Sequence, residues 1–426
     1  MTYVEFFDRT AVENISTCLT AATFPGRVIL IGTNSKVMEV HKQRYLKVLE
    51  ERGCSVEFIV EPIMAGDLEG AKRRITDIVE TYDDCVFDIT GGQEILLLAL
   101  GIVYAENPDK NIQIHRFNLR NNVLADCDMD GKTVFHDLPA LSIEENVRIY
   151  GGEVVYGEVH EDKKTYRWDL TADFVEDIGL MWGICKDDVR FWNTQIGVFS
   201  ALEEVGETSE DRLTTTARLS VLKAHLERND GKYVYAKGIV GGLLRYGLLT
   251  AFSAEDGETV TVSYKNEQVK RCLTKAGQAL EMKTLLAVRE LTDKKGTIFY
   301  DDVLNGAVID WDGVILEQTE EEGEKPSTDT RNEIDILAMH GVIPTFISCK
   351  NGKVDANELY KLNTVAERFG GAYAKKVLVT TALEFLRDKG ESLRLRAKEM
   401  DIKVIDGVQD FDDATFAKEL RRAWSN

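Results

Sequence analysis

Two segments decide the fold of the C-terminal part of the chain, Asn332-Glu333-Ile334-Asp335-Ile336-Leu337 and Phe346-Ile347-Ser348-Cys349-Lys350. Each segment alternates polar and apolar residues, which is the period of a half-buried strand. The connection from Met339 to Pro344 contains a glycine and a proline, so the pattern predicts a hairpin. In such a hairpin, Asp335 and Lys350 project from one face toward a common point.

The pairing of an aspartate with a lysine suits the hydrolysis of a phosphodiester by a bound metal. The carboxylate of Asp335 can hold a hard divalent cation, and Lys350 can orient or deprotonate the attacking water and offset phosphate charge. An ordinary amphipathic hairpin with exposed charges explains the same residues. These residues alone leave both interpretations open.

The composition indicates a globular protein of two or three domains, with 426 residues, 44% hydrophobic residues and only 6 prolines. The 7 cysteines include no Cys-x-x-Cys pair, so neither a zinc site nor a disulfide framework is indicated. No apolar run reaches membrane-spanning length and the N-terminus has no basic signal-peptide start, so we expect a cytoplasmic protein that does not contact membranes. The net charge of -21 argues against a general nucleic-acid coat protein.

The N-terminal part, residues 1–150, predicts a parallel, doubly wound sheet. Buried strands over 28–33, 56–60, 85–89 and 112–117 alternate with helices that begin after Ser35 and that cover 66–82 and 95–104. A hairpin turning at Asp130-Gly131 follows, and Ser142 to Glu145 is a capping-box pattern that opens another helix. Ligands bind such sheets beyond the C-terminal ends of the strands.

Two loops at those strand ends have the chemistry of a phosphate site. Their glycines allow backbone amides to approach a phosphate, their hydroxyls can donate to its oxygens, and each loop leads into a helix N-terminus. No G-x-G-x-x-G occurs there, so this is not a dinucleotide motif, and the glycines alone also fit a tight strand-to-helix turn. The predicted ligand-binding residues are Gly32, Thr33, Asn34, Ser35, Asp88, Thr90, Gly91, Gly92 and Gln93.

These loops resemble those of the CARF domain, the CRISPR-associated sensor of cyclic oligoadenylates. The resemblance rests on the strand followed by Asp88-Ile89-Thr90-Gly91-Gly92 and on the earlier loop through Thr33 and Asn34. Many CARF domains have Thr-Lys after the paired glycines, whereas this chain has Gln93-Glu94 and lacks that cation. The resemblance implies a Rossmann-like sensor that binds a cyclic oligoadenylate.

The middle part, residues 151–275, predicts a helical, winged-helix-like module. Helices are expected over 170–204, 214–228 and 238–249, and two alternating segments flank Asp256-Gly257 as a two-stranded wing. The expected recognition helix offers only Arg245 as a cation, so a connecting or dimerising role is favoured over the reading of DNA.

The last part, residues 276–426, resembles the restriction-endonuclease-like core of the PD-(D/E)XK nucleases, in the order helix, hairpin, helix, strand. A helix from Ala276 to Leu291 carries Glu281, and a capping-box pattern at Asp355 opens a helix to Phe369 before the strand Lys376 to Thr380. The resemblance implies that the catalytic residues are Asp335, Lys350, Glu281, Glu333 and Ser348. It further implies that Mg²⁺ or Mn²⁺ is held by Asp335, Glu281 and the carbonyl of Cys349.

The chain departs from that family at Ser348, which stands where an acid is usual. Together the two resemblances imply a CRISPR ancillary nuclease of type III systems. Such a protein is a homodimer that a cyclic oligoadenylate, most simply cyclic tetra-adenylate, activates to cleave DNA or RNA. The competing interpretation is a ligand-controlled, nucleic-acid-binding regulator with a degenerate nuclease domain.

Overall fold

The computed structural model describes residues 1–15, 19, 26–118, 123–127, 133–137, 140–156, 164–229, 231–254, 257–313, 331–383 and 388–425. Three predicted features lie outside these ranges: the turn at Asp130-Gly131, Asp256 of the expected wing, and an acidic exposed loop expected over Glu317 to Glu324. Within the described ranges, no helix is both long and apolar enough to cross a membrane.

The N-terminal sheet has seven strands in the order β3-β2-β1-β4-β5-β6-β7, of which the first five are parallel and the last two antiparallel. The predicted strands and helices are confirmed. The sequence reasoning missed β1, the central strand. The elements are β1 (Thr2–Phe6), β2 (Arg27–Gly32), α1 (Ser35–Glu51), β3 (Glu57–Pro62), α2 (Leu68–Thr81), β4 (Cys85–Asp88), α3 (Glu94–Glu106), β5 (Ile112–Asn118), β6 (Val123–Cys127) and β7 (Thr133–Asp137).

Helices cover both faces of this sheet. On one face, α2 and α3 enclose a core that includes Ile31, Phe87 and Leu96. The other face carries α1 and then α4 (Ile143–Ile149), which begins with the predicted capping box at Ser142. Strands β2 and β4 flank β1, and the chain runs from β1 toward β2 but from β4 toward β5. The connections after β1 and β4 therefore diverge, and the loops that follow β1, β2 and β4 lie at the same edge of the sheet.

The middle part is mainly helical, as predicted, and also contains a small sheet. Its four-stranded sheet has the order β11-β12-β10-β9. The elements from residue 153 to 274 are β8 (Glu153–Val154), α5 (Ala172–Asp187), α6 (Val189–Val205), β9 (Glu207–Thr208), β10 (Thr214–Arg218), α7 (Leu219–Arg228), α8 (Lys237–Arg245), β11 (Leu249–Ser253), β12 (Thr259–Tyr264) and α9 (Glu267–Thr274).

One helix prediction in this part was wrong. Residues 170–204 are helical as predicted, in two helices separated at Asp188, whose backbone is not helical and whose carboxylate accepts a hydrogen bond from Phe191 N to cap α6. The expected helix over 214–228 begins only at Leu219, because Thr214–Arg218 pairs with β12 and Thr216 bonds Thr261 across the strands at 2.9 Å. Clustered β-branched residues favour such a strand.

The C-terminal sheet has six strands in the order β17-β16-β15-β14-β13-β8. The predicted hairpin is confirmed and is tighter than expected, because β14 and β15 extend until only Gly341 and Val342 separate them. Gly341 has φ +59, which suits glycine. The elements are α10 (Gln278–Arg289), β13 (Asp302–Asp310), β14 (Arg331–His340), β15 (Ile343–Lys350), α11 (Ala356–Gly370), β16 (Lys375–Thr380), α12 (Asp388–Glu399), β17 (Ile402–Asp406) and α13 (Asp413–Ser425).

One apolar core joins the first and last sheets. It runs from Leu30 and Tyr45 of the N-terminal part to Leu337 and Phe369 of the C-terminal part. Helix α4 packs on α1 and also on β13 and β14, and Asn146 donates to Phe369 O at 2.8 Å within the core. The predicted boundaries near residues 150 and 275 stay a prediction.

Candidate functional site

The hairpin brings Asp335 and Lys350 together. Asp335 lies within β14 and Lys350 is the last residue of β15. Lys350 Nζ lies 3.9 Å from Asp335 Oδ2, which is the arrangement expected from the alternating pattern. Their catalytic roles stay predictions.

The residues just before Lys350 hold the Asp335 carboxylate in place. Cys349 N donates to Asp335 Oδ2 at 2.6 Å, and Ser348 Oγ donates to the same oxygen at 3.2 Å. Burial raises the pKa of Asp335 in spite of these donors and of Lys350. The thiol of Cys349 is buried and its pKa is raised by burial, so this residue meets the site through its backbone.

Glu281 lies at the same site, in the first turn of α10. It is 4% exposed, and burial, followed by the charge of Asp335, raises its pKa to about 8. Lys275 Nζ lies 4.0 Å from Glu281 and also pairs with Glu333, which is more exposed. The order of residues along the chain thus predicted a real spatial grouping of Glu281, Glu333 and Asp335.

The donor set fits a magnesium-type ion better than a closed metal cage. Among the described residues, no group of three or more His, Cys, Asp or Glu side chains stands at ligand spacing. Mg²⁺ commonly binds through one or two carboxylates and takes its other ligands from water and substrate phosphate. Burial raises the pKa values of Glu281 and Asp335, so their charged forms are disfavoured unless positive charge is added, and a bound divalent ion would add it.

Sequence reasoning missed Glu358 as a site residue. Glu358 is the last residue of the predicted capping-box pattern that begins at Asp355, and Asp355 does cap α11 by accepting from Asn357 N. The carboxylate of Glu358 instead lies 2.9 Å from Lys350 Nζ. Burial raises the pKa of Glu358, but the hydrogen bonds and charges of Lys350 and Lys361 together outweigh burial and lower it. Burial alone would lower the pKa of Lys350, but Asp335 and Glu358 raise it.

A cavity of about 80 Å³ lies over this group and is lined by Glu333, Asp335, Ser348, Lys350 and Glu358 among others. Its floor is the hairpin and its wall is the start of α11. A phosphate that entered it would meet two ammonium groups, Lys350 and Lys361, and three carboxylates. Such a site binds a phosphate well only when further positive charge is present, which agrees with a metal-dependent reaction.

The two predicted ligand loops of the N-terminal sheet also meet. Gln93 Nε2 donates to Thr33 Oγ1 at 3.2 Å, so the loops after β2 and β4 touch. Thr90 Oγ1 donates to Asp88 and accepts from Phe117 N at 2.7 Å. The hydroxyl of Thr90 therefore already has internal partners at the base of the site.

The glycines and Asn34 in these loops also have structural roles, which are close packing and helix capping. A Cβ on Gly32 would lie 2.8 Å from Phe7 and Met38, and one on Gly92 would lie 2.4 Å from Phe6. A Cβ on Gly91 would lie 2.8 Å from Asp8. Asn34 caps α1 by accepting from Val37 N, and Ser35 is the first residue of that helix. Close packing thus requires these glycines whether or not a ligand approaches.

Three further residues at this edge escaped the sequence reasoning: Asp8, Glu13 and Tyr373. Asp8 follows β1 and accepts from Gly92 N at 3.4 Å. Glu13 is 7% exposed, and burial raises its pKa to about 7, with Asp8 adding to the effect. Tyr373, which precedes β16 in the other sheet, donates to Glu13 Oε1 at 2.5 Å. This contact ties the ligand loops to the C-terminal part of the chain.

The fold matches two solved structures over the whole chain. Protein VC1899 from Vibrio cholerae is 18% identical with a TM-score of 0.71, and the match covers 100% of this chain and 99% of that one. Can2 from Sulfobacillus thermosulfidooxidans, solved in complex with cyclic tetra-adenylate, is 14% identical with a TM-score of 0.64, and the match covers 100% of this chain and 97% of that one. This chain shares the fold of Can2.

Sequence comparison adds nothing to that likeness. No family model matches the chain. No curated protein matches it either. At this level of identity, the likeness establishes the mixed α/β fold over the whole of this chain.

Proposed function

We propose that the protein is a divalent-metal-dependent nuclease, switched on by a cyclic oligoadenylate, that cleaves DNA or RNA phosphodiesters in type III CRISPR defence. The observation that carries the proposal is the convergence of Asp335, Lys350, Glu281 and Glu358 at one end of the hairpin. In this proposal the C-terminal part is a PD-(D/E)XK-like nuclease domain and the middle part is a winged-helix-like module.

Each residue has a definite task in this proposal. Asp335, oriented by Cys349 N, and the buried Glu281 hold Mg²⁺ or Mn²⁺, with the Cys349 carbonyl as a further oxygen ligand. The bound ion supplies Lewis-acid stabilisation of the phosphate. Lys350, kept protonated by Asp335 and Glu358, orients the attacking water and offsets charge on the phosphate.

Glu358 also compensates for the carboxylate that is missing at position 348. A serine contributes no formal charge, so the hairpin alone has one carboxylate fewer than the family pattern. Glu358 restores a carboxylate beside Lys350, although it comes from α11 and not from the strand. The site therefore has the charges of a working nuclease, which favours that reading over the degenerate regulator.

The activator is proposed to bind at the loops after β1, β2 and β4. Support comes from the contact between Gln93 and Thr33, which makes the two loops one surface, and from the shared fold with Can2, whose structure contains cyclic tetra-adenylate. A two-fold symmetric ligand suits a homodimer in which it meets the same loops twice. We therefore propose a dimer with one ring of cyclic tetra-adenylate on its axis.

The test is cleavage of a plasmid and of single-stranded DNA and RNA, with and without activator and with Mg²⁺, Mn²⁺ or a chelator. Asp335→Ala and Lys350→Ala should each abolish activated cleavage. Both should still show the melting-temperature increase with cyclic tetra-adenylate, because the ligand loops belong to the other sheet. Lys353→Ala, an exposed lysine just beyond the strand, is the matched control and should cleave normally.

Two results would count against the proposal. If Asp335→Ala and Lys350→Ala both cleave like the parent protein, the hairpin is structural and the nuclease assignment is wrong. If cyclic tri-, tetra- and hexa-adenylate all leave the melting temperature unchanged, the sensor assignment is wrong.

A further inference from the structure

A groove of about 780 Å³ crosses the middle part of the chain, away from both sites described above. One wall is the outer side of α5 with the start of α6, and the other is α8 with the segment before it. Its floor is lined by small residues, including Gly179 and Gly183 on α5 and Gly238 and Gly242 on α8. The volume lies in the range of pockets that hold small ligands or parts of larger ones.

Three aromatic rings stand exposed along this groove. Phe191 is 51% exposed, Tyr235 is 46% exposed and Tyr246 is 48% exposed. The ring of Tyr235 stacks on Phe252 with centroids 5.3 Å apart and planes 13° apart, so one of its faces is supported from behind. The segment before α8 is also fixed, because Ala236 N donates to the buried Gln195 at 2.9 Å. The Tyr235 ring is thus fixed in position with one face exposed, so a flat ligand group can stack on it.

Cations outnumber acids in the lining of the groove. Lys186, Lys237 and Arg245 are exposed, and none of them forms an ion pair with another residue in the described part of the chain. Of the two acids, Asp188 already accepts from Phe191 N as the cap of α6, which leaves Asp187 as the other. In a chain of net charge -21, a surface with unpaired cations between aromatic rings selects a ligand with phosphates and flat bases.

The two helices of one groove wall also support the end of the predicted catalytic hairpin. Asn351 follows Lys350 directly, and its carbonyl accepts from Asn193 Nδ2 at 2.5 Å. Its own side chain donates to Cys185 Sγ at 3.3 Å. Cys185 belongs to α5 and Asn193 to α6, the two helices that form one wall of the groove. Cys185 is fully buried, so these contacts lie on the inner side of the helices, and the groove runs along their outer side.

We propose that this groove binds single-stranded nucleic acid, with bases stacked on Tyr235, Phe191 and Tyr246 and phosphates paired with Lys186, Lys237 and Arg245. Unstacked bases are required, because rings inside a duplex are not free to stack on a side chain. A second copy of the chain is the poorer occupant, since a two-fold contact would set one concave groove against another. The inference rests on the proposed function in one respect, because the bound nucleic acid is taken to be the substrate of the nuclease.

The experiment measures binding and not cleavage. Fluorescence anisotropy follows a labelled single-stranded oligonucleotide, as DNA and as RNA, with the full-length chain in a chelating buffer. The variants are Tyr235→Ala and the double substitution Lys237→Glu with Arg245→Glu. The control is Lys294→Glu with Lys295→Glu, two exposed lysines outside the groove lining.

We expect Tyr235→Ala to weaken single-strand binding about tenfold, the scale of one lost stacking contact. The charge reversal should weaken it further and flatten its dependence on salt. The control should bind like the parent. The charge variants should keep the parent's melting temperature because their side chains are exposed, and Tyr235→Ala should lower it only slightly, since only the contact with Phe252 is lost.

Three outcomes overturn the inference. In one, the groove variants bind single strands as tightly as the parent. In another, the parent binds duplex and ignores single strands. In the third, the variants change only the sedimentation of the protein, which makes the groove a contact between copies. Hydrolysis of a small phosphodiester such as bis(p-nitrophenyl) phosphate separates this inference from the nuclease proposal. Hydrolysis of this small substrate requires Asp335 and Lys350 but not binding in the groove, so either proposal can fail while the other stands.

Discussion

Replacement of Glu358 by glutamine tests the part of the site that the sequence did not predict. Glu358→Gln keeps the size of the side chain and its place in the first turn of α11 but removes its charge. In the parent, the carboxylate lies 2.9 Å from Lys350 Nζ, whereas Asp335 lies 3.9 Å from the same nitrogen. Glu358 is therefore the nearer anchor of the ammonium group.

The size of the effect follows from that contact. Hydrogen bonds between charged groups contribute about 1.5–3 kcal/mol. The Lys350 and Glu358 side chains are 28% and 23% exposed, so solvent screening reduces that figure. A loss of about 1–2 kcal/mol corresponds to a roughly 5- to 30-fold lower rate of activated cleavage.

A second readout distinguishes this role from general damage to α11. Glu358 helps to raise the pKa of Lys350, so its neutralisation should lower that pKa and move the alkaline limb of the pH–rate profile to lower pH. The matched control is Glu367→Gln on the same helix, where the carboxylate is exposed and only accepts from Asn363 at 2.9 Å. An unchanged rate and alkaline limb in Glu358→Gln, or an equal loss in Glu367→Gln, would refute the reasoning.

Three other substitutions probe the remaining features. Ser348→Ala removes only the hydroxyl that donates to Asp335 at 3.2 Å, so activity should fall severalfold, far less than in Asp335→Ala. Ser348→Glu adds a carboxylate and should lower the metal concentration for half-maximal cleavage. Identical metal titrations of the parent and both Ser348 variants would place Ser348 beyond the metal's reach. Thr90→Val should weaken activator binding by about 1–2 kcal/mol in a calorimetric titration if the hydroxyl turns its one proton from Asp88 to the ligand, and an unchanged affinity would contradict that contact. Burial raises the pKa of Glu13 from 4.5 to about 7, so the folded protein keeps a proton that the unfolded chain releases, and stability should fall as pH rises from 4.5 to 7 and then level off. Glu13→Gln should reduce that fall in urea unfolding measured across this pH range; the same fall in parent and variant would be the contrary result.

Local patterns predicted the hairpin and the ligand loops because each is encoded over a few consecutive residues. The alternation around Asp335 and Lys350 specifies which face each side chain takes, and pairing of neighbouring strands then brings the two together. The glycine pair after Asp88 likewise indicates a place where the backbone packs closely against neighbouring residues. In both cases the information lies within one or two elements.

What the sequence did not reveal depends on contacts between distant elements. The strand Thr2–Phe6 is buried throughout, including Glu5, so it shows no alternation that would identify it. Asp8 was missed along with the strand it follows. Glu358 and Tyr373 lie at opposite ends of α11, and their partners, Lys350 and Glu13, are fixed by tertiary packing.

The error at Thr214–Arg218 has the same origin. Over such a short segment, local preference is weak against pairing with another strand. Burial alternates along it, and Thr216 finds Thr261 on a strand that comes much later in the chain. Only the assembled sheet makes this segment a strand.

The core shared by the first and last sheets has a consequence for synthesis of the protein. The N-terminal sheet and α1 leave the ribosome first, but α4 finds its second set of partners only when β13 and β14 have been made. Until then, an apolar side of the nascent chain stays open to water and to other chains. An intermediate with such an exposed apolar side is prone to aggregate, and a fragment that ended at Tyr150 would expose the same side permanently.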